Sequence, residues 1–75
     1  MKQDTKESLD RYAHEKIPPG GFLRAVLENN LMEAMGRADI INRYDLFEIC
    51  SYVQNHMPLS CHGSPEIVKK WLNEE

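Results

Sequence analysis

Leu23, Leu27, Leu31, Ala34 and Ala38 recur at intervals of three and four residues, the repeat that lays apolar side chains along one side of an α-helix. A stripe of this length in a 75-residue chain leaves room for little besides a few shorter helices packed around it. The spacing predicts a central helix over residues 19 to 38. Phe22, Val26, Met32 and Met35 fall off the stripe, so this helix carries more apolar surface than one neighbour covers.

The flanking segments read as helices too. Asp4 followed by Glu7 has the spacing of an acidic capping box and places a first helix at 5 to 16, with Leu9, Tyr12, Ala13 and the stem of Lys16 on one face. Residues 1–4 are expected to lie outside the ordered domain. Ile17-Pro18-Pro19-Gly20-Gly21 interrupts the chain, because each proline disfavours helical geometry in the residue before it. Pro19 then suits the opening position of the central helix. Asn42 with Asp45 predicts a cap for a third helix at 43 to 56, with Phe47, Ile49, Cys50 and Val53 facing inward and Pro58 beyond its end. Ser64-Pro65-Glu66 combines a capping hydroxyl, a proline in the first turn and an acid near the positive end of the dipole. Ile67, Val68, Trp71 and Leu72 give this last helix its apolar face. No strand-like alternation or internal repeat interrupts the pattern, so the fold class is all-α: a single compact bundle of about four short helices with a long central one.

Composition narrows the function. With 41% apolar and 28% charged residues the chain belongs with folded globular proteins. A net charge of −3 speaks against coating nucleic acid, which needs clustered Lys and Arg. No apolar run approaches the roughly 18 residues of a membrane span, and the N-terminus lacks a signal-peptide core, so a cytoplasmic location is expected. Cys50 and Cys61 read as free thiols. So small a core invites a further stabiliser, and self-association is the leading one.

Three constellations can carry chemistry. At the Pro18–Gly21 turn a helix start offers free amides and a positive dipole end, and Arg24 lies a turn away. An anion fits there, and so does the close approach of another helix. Asn30, Glu33 and Arg37 form a polar seam beside the core, which reads as a surface ion pair, a subunit contact or a ligand site. Cys50, His56, Cys61 and His62 have ligand chemistry, but lack the close pair of a structural zinc site. No nucleophile, base and orienting group can be named together, so no enzyme, metal or cofactor is expected.

The run Pro18-Pro19-Gly20-Gly21-Phe22-Leu23-Arg24-Ala25-Val26-Leu27-Glu28-Asn29-Asn30-Leu31, with Arg37-Ala38-Asp39, Asn42, Gly63-Ser64-Pro65-Glu66, Val68 and Trp71, resembles a group of small proteins encoded by bacteriophages and prophages. The group's pattern has an aspartate where this chain has Asn30. The resemblance implies a phage accessory protein in the host cytoplasm, of the kind that acts by occupying a host surface or a small signalling molecule of an antiviral pathway.

Two functions follow as expectations. In one, a homo-oligomer sequesters an anionic small molecule such as a nucleotide signal, held by Gly20, Gly21, Arg24, Asn30 and Arg37. On a straight helix Arg24 and Arg37 stand roughly 20 Å apart, so an antiparallel partner is needed to bring Arg37 toward Gly20 and Arg24. In the other, the chain docks on a host or phage protein through an apolar helix face.

Overall fold

The computed structural model describes residues 1–74. Five α-helices and one short 3-10 turn account for the secondary structure among the described residues, with no strand: α1 (Gln3–Glu15), α2 (Gly21–Leu27), α3 (Leu31–Arg37), α4 (Ile40–His56), the turn Leu59–Cys61, and α5 (Pro65–Leu72). The chain is all-α. None of these helices is long and apolar enough to cross a membrane.

The long central helix is absent. It breaks at Glu28–Asn30, where Asn29 adopts a left-handed backbone with φ 60°, a conformation that asparagine tolerates better than most side chains. Asn30 then restarts the helix, its side-chain oxygen accepting from the Glu33 amide at 3.3 Å. Cap and reversal let α3 fold back against α2, so the stripe is shared by two antiparallel pieces. Leu23, Leu27, Ala34 and Ala38 are buried and Leu31, at the bend, is half exposed.

Other boundaries shift for local reasons. The first helix starts at Gln3, with Lys2 as its cap residue and Asp4 inside the first turn instead of capping it. Met1, from the stretch expected outside the ordered domain, places its ammonium on Glu48 and 3.7 Å from Asp45. Helix α2 opens at Gly21, with Gly20 as its cap residue and Pro19 still in the extended linker. The third predicted helix begins earlier because Asp39, not Asn42, caps it: its carboxylate accepts the Asn42 amide at 2.7 Å. Ser64 caps α5 as its sequence predicts, accepting from the Ile67 amide at 3.2 Å.

The core gathers Leu9 and Tyr12 of α1, Leu23 and Leu27 of α2, Ile49 and Val53 of α4, Met57, Cys61 and Val68 of α5. Two polar links cross it. The Tyr12 hydroxyl donates to the Cys61 carbonyl at 2.6 Å, and the Trp71 indole N–H donates to the Tyr12 carbonyl at 2.9 Å. Together they tie α1 to the turn and to α5. Gly63, at φ 129°, lies in a region that only glycine enters freely, and its amide donates to the Leu27 carbonyl at 2.7 Å.

Candidate functional site

The reversal at Asn29 decides where the expected ligand residues go. Folding α3 back on α2 brings the last residue of α3 over the first of α2. A Cβ built on Gly21 would lie 2.8 Å from Arg37 Nη1. Gly21, Arg24 and Arg37 therefore line one cleft of about 360 Å³, together with Ala25, Glu28 and Glu33. The separation of Arg24 from Arg37 expected for a straight helix does not arise, and the antiparallel pairing expected between two chains forms within one. Gly20 has open space where a Cβ would sit. Asn30 lies outside this lining and serves as the α3 cap.

Carboxylates answer both guanidinium groups in this corner. Arg24 gives Nε to Glu28 at 3.0 Å and forks onto Glu74 at 2.7 and 3.2 Å. These bonds, to Glu74 first and then Glu28, raise the Arg24 pKa, and Arg24 in turn holds Glu74 below its ordinary range. Arg37 donates to Glu33 at 2.6 Å. Two cations thus meet three carboxylates, and an incoming anion has to compete with side chains already seated. The polar seam resolves into a cap, Asn30, and an exposed i,i+4 ion pair, Glu33 with Arg37.

The cysteine and histidine residues do not converge. Among the described residues no group of three or more His, Cys, Asp or Glu side chains is placed to hold a metal ion. Burial pushes the thiols of Cys50 and Cys61 up, away from the thiolate form that reactivity requires. His56 lies against Tyr52, with ring centres 5.1 Å apart and planes tilted by 37°. His62 is buried beside Cys50 at a smaller cleft of about 200 Å³.

A different feature stands out on α4. Ile49 and Val53 point into the core, whereas Tyr44 and Phe47 are 86% and 85% exposed and Ile40 and Ile41 are also largely exposed. Phe47, expected to face inward, is a correction: the hundred-degree step of a helix sets it about 160° from Ile49 and about 120° from Val53. Positions 40, 44 and 47 repeat at intervals of four and three and form an outward ridge. On helix α3, Met32 is 81% exposed, and Leu31 and Met35 are also open. Single exposed apolar residues are ordinary, and the α4 ridge groups three of them along one face. Asp39, Ile40, Ile41 and Arg43 border a shallow cleft of about 480 Å³ at the start of this ridge.

One cleft has no counterpart in the sequence-based expectations. Lys16, Ser60, Ile67, Lys70 and Trp71 line about 370 Å³ between the end of α1, the 3-10 turn and α5. These residues are scattered over 56 positions of sequence numbering, from 16 to 71, and no local spacing joins them. No family model matches this chain, and neither a curated protein nor a solved structure matches it.

Proposed function

We propose that the protein is a non-enzymatic interaction module that self-associates through the outward ridge of α4. The carrying observation is that α4 is apolar on two opposite faces, one covered by the chain's own core and the other, Ile40, Tyr44 and Phe47, open.

A second copy fits this ridge by its charges. Arg43 and Glu48 flank it on opposite sides, five residues apart. That is the spacing at which flanking charges meet across a parallel pair of helices, with Ile40, Tyr44 and Phe47 along the seam. Arg43 has no ion pair with a described residue, while Glu48 already takes the Met1 ammonium. With the resemblance to phage-encoded proteins, the module is read as an accessory protein that acts by occupying a surface or a signal of its host.

The mass in solution tests this. The parent chain is expected to be dimeric or larger at micromolar concentration and Phe47→Glu monomeric with its helical spectrum intact. Arg43→Glu should weaken the assembly, and Arg43→Glu with Glu48→Arg should restore it. A parent that stays monomeric at high concentration, or a Phe47→Glu variant of unchanged mass, overturns the reading.

A second reading keeps the capture of an anionic small molecule at the α2–α3 corner. It is favoured by the convergence of Gly21, Arg24 and Arg37 on one cleft, and it requires the ligand to displace Glu28, Glu33 or Glu74 from the arginines. Loss of binding in Arg37→Ala, with the helical spectrum retained, would support it.

A further inference from the structure

We propose that the cleft between the end of α1, the 3-10 turn and α5 binds a small aromatic anion of the nucleoside-phosphate class. Helix α1 ends in a left-handed residue, Lys16, with φ 57°. The chain turns there toward α5, and Lys16 sets its ammonium 4.7 Å from the centre of the Trp71 ring. The ring is held in turn by the indole hydrogen bond to Tyr12. Ile67, one turn before Trp71, lines the cleft together with Lys70 and Ser60.

The charge balance differs from that of the α2–α3 corner. Among the described residues no carboxylate lines this cleft, and neither Lys16 nor Lys70 has an ion pair with one of them. Helices α1 and α5 both end near it, and each helix end contributes about half a negative charge. Two full positive charges exceed that sum. The volume of about 370 Å³ falls at the small end of the roughly 300–1,000 Å³ of ligand clefts. An aromatic body packs on Ile67 and Trp71 while a phosphate lies between the two ammonium groups, with Ser60 donating. The contact of Lys16 with the ring at an exposed site favours that rotamer only about two- to fivefold, so the ammonium is free to turn to an anion.

Trp71 is the single tryptophan of the chain and reports on the cleft directly. Adenosine monophosphate, inorganic phosphate and adenosine are titrated separately while the fluorescence of Trp71 is followed. Saturable quenching is expected with adenosine monophosphate. Adenosine and phosphate alone should each bind about tenfold more weakly, since each lacks one of the two contacts. Lys16→Gln and Lys70→Gln should each weaken the nucleotide by about tenfold. The cleft lies apart from the α4 ridge, so Phe47→Glu should bind as the parent does, whatever its mass. No saturable change at millimolar nucleotide, binding indifferent to both lysine variants, or phosphate binding as tightly as the nucleotide overturns the proposal.

Discussion

Gly21 opens α2 and Arg37 closes α3, which puts them at the same end of the antiparallel pair, so close that a methyl group on Gly21 would come within 2.8 Å of the Arg37 guanidinium. What it would meet is the far end of an exposed, flexible side chain, which is able to swing away. Gly21→Ala should therefore be tolerated. Helix propensity favours alanine by up to about 1 kcal/mol, and loosening the exposed Arg37–Glu33 pair costs a few tenths. Thermal denaturation is expected to show an unchanged or slightly raised midpoint. A loss of about 1 kcal/mol or more would mean that the corner tolerates only glycine.

Removing the Tyr12 hydroxyl should be costly. It donates to the Cys61 carbonyl in the core, and burial raises the phenol's pKa so that it stays a donor. Tyr12→Phe leaves that carbonyl without its partner, at about 1–3 kcal/mol. Urea denaturation reads this as a lower midpoint at unchanged slope. An unaltered midpoint would contradict the bond.

The break at residues 28–30 makes a prediction of opposite sign for two architectures. Asn30→Ala removes the α3 cap and should cost about 0.5–2 kcal/mol, and Asn29→Ala should cost about 1–2 kcal/mol because alanine resists the left-handed backbone. In a continuous central helix both changes would stabilise. The measured sign of the double variant decides between the two.

Acid should unfold the protein through a defined set of carboxylates. Asp10 is held below its ordinary range by the Tyr52 hydroxyl and by Lys6, Asp39 by the Asn42 amide and by Lys2, and Glu74 by Arg24. Depressed carboxylates contribute stability that is complete above their unfolded pKa of about 4 and is lost as pH falls through the lower folded value. The melting midpoint should be level from about pH 7 to 5 and drop below about pH 4. Asp39→Asn keeps a capping side chain and should make the drop shallower. A midpoint constant to about pH 3 would count against these contacts.

The sequence by itself determined the all-helical class and several helix ends, because those depend on contacts within a few residues. Ser64, Pro65 and Glu66 start α5 wherever the rest of the chain lies, and Pro58 stands just beyond the end of α4. Tertiary structure decided what periodicity leaves open. A stripe through Leu23, Leu27, Leu31, Ala34 and Ala38 serves one straight helix or two folded back on each other, since both bury Leu27 and Ala34. Only the packing of α3 against α2 makes the left-handed turn at Asn29 worth its cost. The same holds for α4, where the repeat placed apolar residues on both sides and could not say which side the chain covers for itself. Environment is a property of what lies opposite a side chain, and for Arg37 beside Gly21 and Lys16 beside Trp71 that neighbour comes from elsewhere in the chain.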